Sequence, residues 1–390
     1  MPLSLYWNHR GEPDEAESCT ESFEHWDAGQ PLDEPQRTIV QAVEEALSVK
    51  VMQIDVRAMT RNVVLDVELD DGRRVIIRAP NVKYEKWQLE ANDVSIPMMK
   101  REIGITKWLK ANSRIPIPAI YSVVTSSHPE AIPIIVMEKL LGAEVFDVVG
   151  KYPYYAKERL MHGFADVQVQ LFSLQTPQLI GTAYIDGDKM SVIPRVAIAP
   201  AKTSSKVYDS LEAYVASQIE MRKRSLEDQD EATRTRGLRV LDRIVKMLPS
   251  IYAHLSRSAH RRCTLVHDDL SPVNVLMDAE GNITGVLDWE YQSIMPAVLA
   301  VEYPTCIRYD GMHDPRYTPT LEVENTWWLV GPEDAPKLRE AYAEAIKTKD
   351  RECWEALVDG EFLRRVLEWV TSDKDFDVLE RWLDAAVRVD

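Results

Sequence analysis

The stretch Leu265-Val266-His267-Asp268-Asp269-Leu270-Ser271-Pro272-Val273-Asn274-Val275-Leu276-Met277 constrains this chain more than any other part of it. Apolar runs bracket a polar loop, the chain turns at Asp278-Ala279-Glu280-Gly281-Asn282, and Ile283 to Leu287 leads into Asp288-Trp289-Glu290. The pattern predicts two apolar strands that hold Asp269, Asn274 and Asp288 at one edge. All three side chains offer oxygen, the donor that a hard cation such as magnesium takes. Phosphoryl transfer also needs a carboxylate to orient an attacking alcohol, so these residue types fit one reaction.

Upstream, the periodicity changes twice. Residues 1–36 form an acidic arm rich in Glu, Asp, Pro and Ser between Arg10 and Gln36, with Phe23 and Trp26 as its few anchors and a loose attachment expected. Residues 37–138 carry mixed character. Ile39, Val40, Val43 and Leu47 recur at helical spacing, and Val63 to Leu69 and Val75 to Ile77 flank the turn Asp70-Asp71-Gly72. A helix is predicted over Ile96 to Asn112 and strands over Ala119 to Val124 and Ile132 to Met137.

Residues 139–390 are mainly helical, with Leu160, Met161, Phe164, Val167, Leu171 and Phe172 on one face. Leu238, Leu241, Ile244, Val245, Leu248 and Leu255 form another such face. Asp186-Gly187 marks a hairpin inside 180–194, Asp209 with Glu212 forms a helix-capping pair, and 336–389 is again amphipathic helix.

His267-x-Asp269-x-x-x-x-Asn274 followed by Asp288 resembles the catalytic loop and metal site of protein-kinase-like folds. The H-D-D-L-S-P-x-N form with Asp288-Trp289-Glu290 is more similar to the aminoglycoside-phosphotransferase and choline-kinase branch, especially its fungal members. That resemblance implies an α+β, protein-kinase-like two-lobed fold, with a small β-rich N-lobe and a larger helical C-lobe. It also implies ATP and magnesium as cofactors, Asp269 as the catalytic aspartate, Asn274 and Asp288 as metal ligands, and His267 as a structural support. Arg78 in Val75-Ile76-Ile77-Arg78 resembles the basic strand residue that contacts nucleotide phosphates, and Glu102 its helix partner. Ile134 to Glu138 with Gly142 resembles the hinge that faces adenine, and Asn62 closes the loop 58–62 that would cover the phosphates.

Two features depart from the pattern. Arginine stands at position 78 where lysine is common, and Ala58-Met59-Thr60-Arg61-Asn62 contains no glycine. A nucleotide-binding pseudokinase and a nucleotidyl transferase on the same fold are therefore the alternatives to catalytic phosphotransfer. No activation segment follows Asp288-Trp289-Glu290, which points to a small hydroxylated acceptor rather than a protein. That acceptor is expected between the catalytic loop and residues drawn from Tyr303 to Trp382. An amino sugar, a choline-like amine and a fungal secondary metabolite all remain open as its identity.

Composition narrows the partners. Lys and Arg number 46 against 63 for Asp and Glu, a formal charge of −17, which favours neither nucleic acid nor an anionic surface and mildly favours a cationic acceptor. The tryptophans Trp327, Trp328, Trp354, Trp369 and Trp382 suit a cation cage, but their helical spacing argues for core. Four scattered cysteines form no paired framework. His254, His260 and His313 have no spaced partner. With no basic-plus-apolar leader and no long apolar run, a soluble cytoplasmic protein without a membrane partner is expected.

Overall fold

Period-two alternation over residues 51–80 builds the first lobe. The structure, a computed structural model, describes residues 3–7, 13–17, 24–27, 30–31, 34–59, 62–80, 96–124, 134–196, 206–308, 329–371 and 376–386. In chain order, β1 (Leu3–Trp7) pairs with β2 (Pro13–Glu17), then β3 (Glu24–Asp27) precedes α1 (Glu34–Leu47). Next come β4 (Val51–Met59), β5 (Asn62–Leu69), β6 (Arg74–Pro80), α2 (Ile96–Asn112), β7 (Ile120–Val124) and β8 (Ile134–Glu138).

The six-stranded sheet runs in the order β3-β4-β5-β6-β8-β7, antiparallel throughout. Leu65, Val67, Leu69, Val75 and Ile77 fill its buried face against Val43 of α1. Gly72 closes the β5–β6 turn with φ +80°, a region that glycine enters without strain. The acidic arm is held more firmly than its composition suggests. Residues 24–27 pair with β4, and Trp26 is buried with its indole N–H donated to the Gln30 carbonyl at 3.2 Å. Phe23 lies outside the described residues.

The helical lobe begins with β9 (Ala143–Glu144), α3 (Val145–Val148), α4 (Tyr154–Ser173) and the hairpin β10 (Thr182–Asp186) and β11 (Lys189–Ile193). It continues through α5 (Leu211–Glu227), α6 (Glu231–His254), α7 (Ser258–Arg261), β12 (Cys263–His267), β13 (Val275–Met277), β14 (Ile283–Val286) and β15 (Gln292–Pro296). The last elements are α8 (Ala297–Ala300), α9 (Asp334–Lys349), α10 (Arg351–Asp359), α11 (Glu361–Thr371) and α12 (Phe376–Ala386). This is the protein-kinase-like α+β fold, with the strand-rich lobe first and the helical lobe second.

Several local expectations change. The buried face of α6 runs through Gly237, Val240, Leu241, Ile244 and Leu248, whereas Leu238 and Val245 are exposed. Gly237 sets that rotation, because a Cβ there would come within 2.7 Å of Leu226 and 2.8 Å of Phe376. Ser210, not Asp209, caps α5, its hydroxyl accepting the Ala213 N–H at 3.4 Å. β12 does not pair with the return strand of its own loop. It pairs with β15, while β13 sits between β14 and β9.

Helix α2 couples the two lobes. Its Ile105 and Leu109 are fully buried in the helical lobe's core beside Val167, Leu171 and Ile180. Gly104 lets Ile185 of β10 approach, since a Cβ there would be 3.2 Å from the Ile185 Cβ. Gln292 of β15 grips β10 in turn, accepting the Ala183 N–H at 3.1 Å and donating to the Ala183 carbonyl at 3.0 Å.

Candidate active site

The loop after β12 is shaped by its histidine. His267 is buried, its Nδ1 accepts the Asp269 backbone N–H at 3.2 Å, and its Nε2 therefore carries the proton donated to the Leu287 carbonyl at 2.8 Å. Burial lowers its pKa, which keeps the ring in that neutral form. The ring also lies 4.6 Å from that of Trp289, which is buried and donates its indole N–H to Val286. One imidazole thus ties the loop to the segment entering Asp288.

Asn274 completes the brace. Its Nδ2 donates to the Asp269 carbonyl at 2.8 Å and to the Asp269 carboxylate at 3.1 Å, and its own carbonyl accepts the Leu287 N–H at 2.8 Å. With the amide nitrogen engaged, Oδ1 is the Asn274 side-chain atom left for a further partner. Asp288 follows in the left-handed region with φ +58°, a conformation that aspartate tolerates better than most residues.

Arg78 of β6 joins these pieces to the other lobe. Its guanidinium meets Glu102 of α2 at 2.6 Å, Asp288 at 2.9 Å and Glu290 at 3.1 Å. With the amide oxygen of Asn62 facing it, Arg78 also donates from Nη2 at 2.6 Å and from Nε at 3.2 Å. Burial works against the charge, but Glu102, Asp288 and Glu290 more than reverse that effect and raise the Arg78 pKa. A lysine could not fork across all these oxygens, which gives the arginine a physical reason.

The structure therefore brings Asn62, Arg78, Glu102 and Asp288 into one cluster and Asp269 with Asn274 into an adjoining one. Glu138, at the end of β8, is directed elsewhere. Its N–H donates to the Ala119 carbonyl at 2.8 Å, and its carboxylate accepts the Ala119 N–H at 2.9 Å and stands 3.4 Å from Lys110. Gly142 beyond it has φ +129°, and a Cβ there would press to 2.9 Å from the Met277 carbonyl. Of the glycine-free loop, Thr60 and Arg61 lie outside the described residues.

The chemistry of the donor set suits magnesium. Asn274 Oδ1 and the second carboxylate oxygen of Asp288 have no hydrogen bond among the described residues, and Asp288 is only partly buried, at 31% exposure of its side chain. Among those residues no group of three or more His, Cys, Asp or Glu could hold a metal on its own. Magnesium fits such a sparse set, because it keeps waters and shares phosphate oxygens instead of filling a protein cage.

A cavity of about 360 Å³ adjoins the same loop on the helical side. His267, Asp268 and Leu270 form one wall, with Tyr303, Tyr342 and Thr371 of the later segments opposite. Asp268 faces away from the Arg78 cluster, bound to Arg195 at 3.0 Å and to the Ser293 hydroxyl at 2.8 Å. Trp369 and Trp382 are buried core residues, and Trp354 packs against a second core cluster. None of these three lines the cavity, while Trp327, Trp328 and His313 lie outside the described residues.

Glu290, Asp268 and Arg195 join the site although the motifs alone give none of them a role. The signal for Glu290 was present, since its motif ends two residues past Asp288. Arg195 offered none, because its partner is 73 residues away.

A β-rich lobe and a helical lobe joined at an arginine–carboxylate cluster, with a His-x-Asp loop beneath it, define a kinase-like phosphotransferase architecture. The chain belongs to the phosphotransferase enzyme family (APH), whose family model matches residues 67–299. It is 33% identical over 376 residues, 94% of this chain and 91% of the relative, to the clavilactone A biosynthesis cluster protein Y of Ampulloclitocybe clavipes. Among solved structures it is similar to a thermostable mutant of aminoglycoside phosphotransferase APH(4)-Ia in ternary complex with AMP-PNP and hygromycin B. That match has 15% identity and a TM-score of 0.46, covering 89% of this chain and 97% of the other. The streptomycin–ATP complex of APH(2")-IIa matches at 14% identity and a TM-score of 0.44, covering 92% and 97%. No helix among the described residues is long and apolar enough to cross a membrane.

Proposed function

We propose that this phosphotransferase moves the γ-phosphoryl group of ATP, in the presence of magnesium, to a hydroxyl of a small molecule. The observation that carries the proposal is the Asn274 amide. By donating to both the carbonyl and the carboxylate of Asp269, it aims the base and leaves its amide oxygen without a partner among the described residues, while its backbone carbonyl holds the Leu287 N–H next to Asp288.

Asn274 Oδ1 and Asp288 would hold magnesium, which supplies charge neutralisation at the phosphates. Asp269 orients the acceptor hydroxyl and takes its proton as the oxygen–phosphorus bond forms. The bond between the γ-phosphorus and the bridging oxygen breaks, and ADP leaves. Arg78, steered by Glu102 and Asn62, places positive charge where the transferring oxygens gain negative charge. With the Glu138 N–H bonded to Ala119, the backbone of residues 139–141 would be left to meet adenine on this reading. Positioning and electrostatics supply the rate enhancement, which is what this reaction class requires.

The similarity to a protein of a biosynthesis cluster supports a biosynthetic small molecule as the acceptor. A coupled magnesium-ATP assay across a library of small alcohols tests the reading. Asp288→Ala should abolish magnesium-dependent ADP formation while circular dichroism stays native. Unchanged turnover in that folded variant would remove the mechanism.

A further inference from the structure

The loop that carries Asp269 is tied down a second time, on the side away from the Arg78 cluster. Its neighbour Asp268 has a side chain only 13% exposed, and Oδ1 accepts from Arg195 at 3.0 Å and from the Ser293 hydroxyl at 2.8 Å. Both contacts fall on that one oxygen, and Oδ2 has no hydrogen bond among the described residues. The Asp268 N–H is fixed as well, donating to the Tyr291 carbonyl at 3.1 Å. The Asp268 charge is the main cause that raises the Arg195 pKa above its ordinary value, as a close ion pair should.

Arg195 is held in turn. It follows β11, and the next residue, Val196, donates its N–H to the Thr182 hydroxyl of β10 at 2.8 Å, which fixes the end of the hairpin. Its Nη1 donates to the Tyr214 hydroxyl of α5 at 3.0 Å. The hairpin rests on α2 where Gly104 admits Ile185, two residues past Glu102, and on β15 through Gln292. It therefore touches the helix that carries the partner of Arg78 and, through Arg195, the residue next to Asp269. A largely buried ion pair adds little to stability, because desolvation offsets much of the attraction, but it does fix geometry.

We propose that Arg195 and Asp268 are positioning residues, through which the β10–β11 hairpin sets where Asp269 stands relative to the Arg78 cluster. The proposal rests on the phosphotransfer reading for the role of Asp269. His267 and Asn274 orient Asp269 within its own loop, whereas this pair places that loop against the rest of the molecule.

The test compares the full chain with Arg195→Met and with the double variant Arg195→Met, Asp268→Leu. Arg195→Met alone leaves a buried carboxylate without its cation and should unfold at a lower urea concentration. The double variant puts apolar residues of comparable size in both places and should recover most of that loss. Turnover should not recover with it. In a coupled magnesium-ATP assay, run with water alone and with the alcohol that gives the fastest ADP formation, its kcat should stay about tenfold or more below the parent. The KM for ATP and the affinity for AMP-PNP should stay within about twofold. Hydrogen exchange read by mass spectrometry should quicken over residues 266–275 and not over β6. Tyr214→Phe frees the far end of Arg195 with the ion pair intact and should lower kcat several-fold, so it carries the same test if the double variant does not fold.

A stable double variant with the parent's kcat overturns the proposal, because the pair would then serve folding alone. Unchanged exchange over 266–275 overturns it too, as does a kcat loss matched by an equal loss of AMP-PNP affinity. If the parent forms no ADP from water or from any alcohol tried, the phosphotransfer reading fails instead, and the exchange comparison still decides whether the pair holds the loop.

Discussion

Replacing Arg78 by methionine removes one charge and leaves three carboxylates facing one another. Glu102 and Glu290 are only 5% and 6% exposed, so neither can turn to water once the guanidinium is gone. Breaking a buried pair from one side costs about 3–5 kcal/mol, because the surviving charge stays desolvated. Asp288, with a third of its side chain in solvent, adds no more than about 1 kcal/mol. The sum approaches the lower end of the roughly 5–15 kcal/mol that a whole domain possesses.

Urea unfolding followed by tryptophan fluorescence reads this directly, since Trp289 is buried beside the cluster. Arg78→Met should lower the unfolding free energy by about 3–5 kcal/mol. The triple variant Arg78→Met, Glu102→Gln, Glu290→Gln should recover more than half of that, because deleting all the charges together removes the penalty. Arg78→Lys keeps the charge but not the fork and should lose about 1–2 kcal/mol. An Arg78→Met protein within about 1 kcal/mol of the parent, the usual value of an exposed pair, would refute the claim that this cluster is buried and mutually dependent.

Other residues give separate checks. Asp269→Asn should lower kcat by about a hundredfold or more while the KM for ATP changes little, as steady-state kinetics would show. Burial, helped by Asp147, raises the Glu144 carboxyl to about 7, so the folded protein binds that proton more tightly than the unfolded chain does. Stability should therefore fall as pH rises from about 4.5 to 7, and Glu144→Gln should remove that slope and gain about 1–2 kcal/mol at pH 8 after allowance for partial exposure. Glu302 behaves oppositely. Burial alone would raise its pKa, but Arg364, Arg365 and Arg308 hold it down to about 2, so its contribution is present above about pH 4.5 and lost as pH falls toward 2. Glu302→Gln should flatten that acid limb in a melting-temperature series.

What the sequence discloses follows from range. The β5–β6 hairpin, α2 and the turn after β13 depend on neighbours a few residues apart, and their signals lie in local alternation and turn chemistry. The pairing of His267, Asp269, Asn274 and Asp288 is similarly legible, because one loop and its return strand carry all four. Partners at long range are not. β12 chooses β15 over its own return strand, Arg78 reaches 210 residues to Asp288, and Arg195 reaches 73 to Asp268. The rotation of α6 depends on Gly237 meeting Leu226 and Phe376, a contact that periodicity cannot weigh. Net charge says little about the lining of the cavity. A chain at −17 has a cavity wall with more arginines than carboxylates, since whole-chain charge governs solubility and steering rather than the lining of one pocket.

Phosphorus NMR of the full chain with magnesium-ATP and an accepted alcohol tests the central claim most directly. The account expects the γ resonance of ATP to be replaced by a phosphate monoester, with ADP formed in equal amount. Both products should disappear in the folded Asp269→Asn variant. A nucleotidyl ester accompanied by pyrophosphate would contradict it, because the bond broken would then be at the α-phosphorus, where this arrangement of Asp269, Asn274 and Asp288 has no assigned part.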